Sequence, residues 1–98
     1  MENFNELIKS EIPVVVDFYA DWCVPCKKQG PILHEVETLR GGSVKVLKVN
    51  VDDNSDISNE YKIKSIPTIM IFKNGELRYR SSGLMTKDNI ISELDKIK

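Results

Sequence analysis

The sequence predicts one α/β domain, built on a four-stranded mixed sheet with helices on both faces. The run Val14–Tyr19 is apolar on both faces apart from one carboxylate, which is typical of a central strand in a covered sheet. Asn74 and Gly75 stand between two strand-like runs, and this dipeptide indicates a tight hairpin. At 98 residues with 41% hydrophobic content, the chain suffices for a single core, so residues 1–98 are interpreted as one domain.

The elements follow from the spacing of apolar residues. Phe4, Leu7 and Ile8 recur at helical spacing and predict a short helix over residues 2–10. The other elements are predicted as strands 14–19, 44–51, 68–72 and 76–82, and as helices 24–39, 56–61 and one capped by Thr86. The second helix should bury the stripe Ile32, Leu33, Val36 and Leu39. A helix between the first two strands implies that they pair in parallel through a right-handed crossover.

The charge balance excludes some classes of partner. With 14 basic and 15 acidic residues the formal net charge is −1, so we expect no nucleic-acid or membrane partner. No apolar run approaches the ~20 residues of a membrane span. The first residues lack the basic and apolar regions of a signal peptide, which predicts a cytoplasmic protein. A removed signal peptide followed by an introduced Met1 would leave the same sequence, so that alternative stays open.

The chemistry is concentrated between residues 17 and 31, DFYADWCVPCKKQGP, where a strand ends and a helix begins. Cys23 and Cys26 at this junction are typical of a redox pair. The first amide N–H groups of a helix have no partner within it, and the helix dipole stabilises an anion there. We therefore expect a lowered pKa for the Cys23 thiol and a better shielded Cys26. Cys23 should attack a disulfide, and Cys26 should resolve the product.

Two other interpretations of the cysteine pair were weighed. Buried structural thiols are common, because free cysteine packs as a small hydrophobic residue. A zinc site needs four ligands, but the chain has one C-x-x-C and one histidine, His34, so we expect no metal. His34 itself is interpreted as a surface or core-rim side chain.

Beyond the cysteines, several motifs resemble the thioredoxin family. They are W-C-V-P-C-K after V-V-D-F-Y-A, then I-P-T, then F-K-N-G-E, so the resemblance extends from about residue 14 to 83 and is expected to continue to the C-terminus. It implies the thioredoxin fold, here lacking the usual extra N-terminal strand. Val24 and Pro25 stand where the family usually carries Gly-Pro.

The resemblance also implies roles for Asp17 and Lys48. In the family, the aspartate matching Asp17 lies beneath the resolving thiol and helps to move its proton. A carboxylate among Val and Phe side chains otherwise needs a partner, and its burial would raise its pKa. The alternative is an aspartate solvated through the adjoining loop. Lys48 is expected by resemblance to pair with Asp17, but a lysine that protects an edge strand is an equal alternative.

A substrate groove is also implied by the resemblance. Its expected residues are Trp22, Val24, Pro25, Ile66, Pro67, Gly83 and Leu84. The Ile66–Pro67 bond should be cis, since thioredoxins place a cis proline before the third strand, facing the cysteines. The competing interpretations are a core aromatic for Trp22 and a simple strand terminator for Gly83.

The function implied is a protein-disulfide oxidoreductase that works mainly as a reductant. No cofactor is expected beyond the redox-active disulfide Cys23–Cys26, which an NADPH-dependent flavoprotein, thioredoxin reductase, would reduce again. No histidine lies between the cysteines, which favours the reducing end of the family. We expect a monomer with disulfide-containing client proteins. Two alternatives remain: an electron relay dedicated to one partner such as a peroxidase, and a non-catalytic interaction module.

Overall fold

A computed structural model of the chain describes residue 1 and residues 3–97. Its elements are α1 (Phe4–Leu7), β1 (Val14–Tyr19), α2 (Val24–Arg40), a 3-10 turn (Gly41–Ser43), β2 (Lys45–Asn50), α3 (Ser55–Glu60), β3 (Thr68–Lys73), β4 (Glu76–Ser82) and α4 (Lys87–Asp95). The predicted elements are therefore confirmed in type and order. The first helix is shorter than predicted, a single turn, and Glu2 lies outside the described residues.

The four strands form one mixed sheet in the order β2-β1-β3-β4. β1 pairs in parallel with β2 and antiparallel with β3, and β3 pairs antiparallel with β4. The predicted central place of β1 and edge place of β2 are confirmed. Asn74 and Gly75 join β3 to β4 with φ of 55° and 80°. Two successive positive φ values suit the twist of a hairpin, which explains the dipeptide.

Helices cover both faces of the sheet, and the alternation of β1 side chains divides the core in two. Val14, Val16 and Phe18 pack with α1 and α3, while Val15 packs with α2 and α4. The second layer is formed by Val15, Leu33, Val36, Val44, Ile69, Ile71, Met85, Ile90 and Leu94. By the same alternation Asp17 faces the α2 side of the sheet.

The buried stripe of α2 differs from the predicted one. Its buried residues are Cys26, Gln29, Leu33 and Val36, whereas Leu39 is 60% exposed. The prediction for Leu39 was wrong because the stripe begins almost two turns earlier, at Cys26, and its centre lies on a different side of the helix from Leu39. The helix ends at Gly41, whose φ of 57° a glycine adopts without strain. Among the residues described, no helix is long and apolar enough to cross a bilayer.

Candidate active site

The two cysteines lie at the junction of β1 and α2 and are joined by a disulfide, with 5.3 Å between their Cα atoms. Cys23 is the N-cap of α2, and its Sγ accepts a hydrogen bond from the Cys26 backbone N–H at 3.3 Å. Both residues are 5% exposed, so burial does not distinguish them. The two cysteines are distinguished by the helix N–H directed at Cys23 Sγ, because such a donor would stabilise negative charge on that sulfur.

The segment before β3 lies against the same sulfur. The Ile66–Pro67 peptide bond is cis, which confirms the prediction from the resemblance. The carbonyl oxygen of Ile66 lies 3.8 Å from Cys23 Sγ. Since a disulfide sulfur has no proton to donate, this is a packing contact. On the other side, the Gly83 N–H donates to the Pro67 carbonyl at 2.8 Å. The structure therefore brings the cysteines, the cis proline and Gly83 together.

The apolar side chains expected in the groove are exposed. Trp22 is 69% exposed, Val24 64% and Leu84 48%, and Pro25 is also exposed. The Trp22 Nε1–H donates to Asp52 Oδ2 at 2.9 Å, which fixes the indole beside the disulfide. A cavity of about 170 Å³ adjoins the indole. It is lined by Trp22, Val51, Ser58, Ile63, Lys64, Ser65 and Ile66. An apolar rim beside an open cavity is suited to contact with another protein.

Asp17 is fully buried on the face of the sheet that α2 covers. Its side chain is 0% exposed, and among the residues described neither carboxylate oxygen has a hydrogen-bond partner. Burial raises the pKa of Asp17 from its usual 3.8 to about 6, and the positive charge of Lys48 opposes part of that rise. The alternative of an aspartate solvated through the loop is therefore wrong. A carboxyl group with this pKa exchanges protons near neutral pH.

Lys48 is in register with Asp17 on the neighbouring strand but does not bond to it. Its Nζ lies 4.5 Å from the centre of the Tyr19 ring, a cation–π contact at the exposed sheet edge. A second cavity of about 170 Å³ opens here, lined by Tyr19, Ala20, Asp21, Cys26, Lys27 and Lys48. Lys48 therefore acts on Asp17 through its charge and does not form the ion pair expected from the resemblance.

Removal of the Lys48 charge should raise the pKa of Asp17 further. We expect Lys48→Met to raise the Asp17 pKa by about one unit or less, because the opposing influence of the Lys48 charge on the buried carboxyl is lost. The measurement is a ¹³C NMR titration of the Asp17 carboxyl carbon. Lys45→Met, which removes an exposed lysine from the same strand, is the matched control. An Asp17 pKa that is the same in both variants would contradict the electrostatic coupling.

Sequence reasoning missed two polar residues of the site. Asp52, which fixes Trp22, follows β2 and could have been found, because the carboxyl ends of the parallel strands β1 and β2 meet at one edge of the sheet. Gln29 is 0% exposed and would have been found by extending the α2 stripe back to Cys26. His34 is exposed, and no cluster of three or more His, Cys, Asp or Glu able to hold a metal occurs within the described part of the chain.

Comparisons with known proteins agree with this geometry. A sequence model of the family described as "Thioredoxin" matches residues 1–96. Proteins named "Thioredoxin" from Rickettsia felis and Rickettsia conorii are 48% and 47% identical over 92 residues, which is 94% of this chain and 88% of each relative. A solved structure titled "Structure of a malarial protein" superposes with a TM-score of 0.83 at 27% identity, covering 87% of this chain and 96% of that one.

Proposed function

This chain belongs to the thioredoxin family and is a thiol–disulfide oxidoreductase, and from that premise we propose the roles of its residues in reducing client disulfides. The observation that carries the proposal is the disulfide at the start of α2, facing the cis Ile66–Pro67 segment. A reducible cysteine pair beside an apolar, exposed rim joins the chemistry to a surface for protein clients.

In the first step, the Cys23 thiolate attacks one sulfur of a client disulfide. The client S–S bond breaks, a mixed disulfide with Cys23 forms, and the other client sulfur leaves as a thiolate that takes up a proton. The backbone N–H of Cys26 supports this assignment because it donates to Cys23 Sγ and would stabilise the thiolate before attack.

In the second step, Cys26 completes the reaction. Its thiol loses a proton to the Asp17 carboxylate, and the resulting thiolate attacks Cys23 Sγ. The mixed disulfide breaks, the second client sulfur leaves as a thiolate that takes up a proton, and the Cys23–Cys26 disulfide forms. The pKa of about 6 supports this role for Asp17, because a carboxyl group that titrates close to neutral pH can both accept and return a proton.

Clients would bind as an extended segment beside the cis proline. The Ile66 backbone would pair with such a segment as an added strand. Trp22, Val24, Pro25 and Leu84 would contact its side chains, which their exposure supports. Gly83, bonded to Pro67, would form the far wall. Because these contacts are apolar or made by the backbone, such a groove would accept clients of many different sequences.

The oxidised pair must be reduced again after each turnover. We assign this step to a flavoprotein thioredoxin reductase that draws electrons from NADPH, because thioredoxins carry no resident cofactor. We further propose, from the family resemblance, that the chain acts as a monomer in the cytoplasm.

The test is insulin reduction with NADPH and a thioredoxin reductase. A general reductant should precipitate the insulin B chain at a rate proportional to its concentration. A relay dedicated to one partner would leave insulin intact while reducing that partner. An interaction module would keep its function when both cysteines are replaced by serine, whereas the reductant would lose all activity.

Val24 should affect partner choice more than redox chemistry. Val24→Gly removes an exposed β-branched side chain next to Cys23, so we expect an altered rate with a thioredoxin reductase. The potential of the cysteine pair should shift by less than about 30 mV, equivalent to roughly 1.4 kcal/mol. Steady-state kinetics and a redox titration measure the two effects, with Leu39→Ala as an exposed apolar control on the same helix. A larger potential shift with unchanged reductase kinetics would mean that Val24 affects the redox chemistry more than the choice of partner.

A further inference from the structure

We propose that Gln29 is a positioning residue, which holds the groove wall of Gly83 and Leu84 against the helix that carries the cysteines. The inference rests on the proposed function insofar as that wall contacts clients. It assigns to a buried amide a part in client binding that neither the motifs nor the cysteine chemistry require.

The contact is a pair of hydrogen bonds in the core. The Gln29 Nε2–H donates to the Met85 carbonyl at 3.2 Å, and Gln29 Oε1 accepts the Met85 backbone N–H at 2.8 Å. Gln29 is 0% exposed and Met85 5% exposed. One side-chain amide therefore satisfies both backbone groups of a buried residue, and the loss of such buried partners is costly.

The placement of this contact ties two parts of the site together. Gln29 lies one turn after Cys26 on the buried face of α2. Met85 directly follows Gly83 and Leu84, and the Gly83 N–H donates to the Pro67 carbonyl. The short wall is thus bonded to the cis-proline segment at one end and to the cysteine helix at the other. Leu84 lies between these two anchors and is 48% exposed.

A glutamine suits this position better than an apolar residue would. A methionine of similar volume could fill the buried space, but it would remove the partners that Gln29 gives to the Met85 N–H and C=O. The wall would then relax to satisfy those groups elsewhere, and Leu84 would move with it. Protein clients that lie across Leu84 would bind less well, while a small disulfide, which reaches Cys23 without the wall, would not be affected.

The test compares a protein client with a small disulfide. For Gln29→Met, which removes this pair of buried hydrogen bonds, we expect KM for insulin to rise about five- to tenfold with kcat nearly unchanged. The rate of the reduced protein with 5,5′-dithiobis(2-nitrobenzoate) should stay within about twofold of wild type. In a Leu84→Ala background, Gln29→Met should raise KM much less, because the two residues act on one contact.

Val36→Ala, a buried change on the same helix, separates positioning from stability. It should lower the stability but leave KM for insulin at the wild-type value. If Gln29→Met and Val36→Ala gave the same KM, or if Gln29→Met slowed the small disulfide equally, the positioning role would be overturned.

Hydrogen exchange decides the inference independently of the proposed function. If the wild type reacts with the small disulfide but not with insulin, the proposed client range fails. The Met85 amide then reports on Gln29: exchange at least about tenfold faster in Gln29→Met than in Val36→Ala supports the anchor. Equal exchange in the two variants, or a Met85 amide unprotected in the wild type, would contradict it.

Discussion

Cys26→Ser is expected to attack client disulfides normally and then to stop at the mixed disulfide. Cys23 keeps its place at the start of α2 and the donor from the residue 26 backbone N–H, but no second thiol remains to release the client. Multiple turnover should fall on the order of 10³-fold or more, because an essential covalent step is lost. Non-reducing gels should show mixed-disulfide adducts with clients, and a reductant should cleave them.

The matched control is Cys23→Ser, which should form no such adducts and should have no turnover. In the reduced wild type, iodoacetamide near neutral pH should alkylate Cys23 first, as mass spectrometry of the peptides would show. Equal trapping by both single variants, or first alkylation at Cys26, would overturn the assignment of the nucleophile.

Asp17→Asn should make the protein more stable and the second step slower. Between pH 3.8 and about 6, the folded protein holds a proton on Asp17 that the unfolded chain has released, so wild-type stability falls as the pH rises through this window. The difference between the two pKa values corresponds to roughly 3 kcal/mol of lost stability above pH 6. Asparagine keeps the size and cannot ionise, so it avoids that loss.

The expected result is a free energy of unfolding about 2–3 kcal/mol above wild type at pH 7.5, with the difference vanishing below about pH 4. Guanidinium unfolding of the oxidised protein across this range measures it. Release of client from the mixed disulfide should slow about tenfold or more between pH 6 and 8, as judged by stopped-flow kinetics. Asp21→Asn, an exposed aspartate near the site, is the control. A release rate equal to wild type would remove Asp17 from the mechanism.

The sequence predicted those parts of the fold that depend on residues close together in the chain. The apolar run Val14–Tyr19 has no polar face for water, so its central place followed from composition. The hairpin followed from Asn74 and Gly75, which tolerate positive φ. The cysteine junction followed from the change of pattern between β1 and α2. The cis bond before Pro67 is different, since sequence physics alone favours trans there, and only the family resemblance predicted it.

The features that escaped prediction depend on contacts between distant segments. Lys48 was expected by resemblance to pair with Asp17, and the two residues are neighbours across β1 and β2, but the long Lys48 side chain reaches the Tyr19 ring instead. The partner of Gln29 is Met85, 56 positions away, which no local pattern indicates. Leu39 was assigned to the core because helical spacing fixes the separation of apolar residues but not the rotation of the helix on the sheet.

The central claim is that Cys23 and Cys26 form a reducing two-electron couple. A titration of the protein against glutathione or dithiothreitol buffers, read by alkylation and mass spectrometry, tests it most directly. We predict a single two-electron transition below about −230 mV, near the roughly −270 mV that is known for thioredoxin. A potential above −230 mV would contradict the reductive direction, and the absence of a reversible Cys23–Cys26 transition would contradict the function itself.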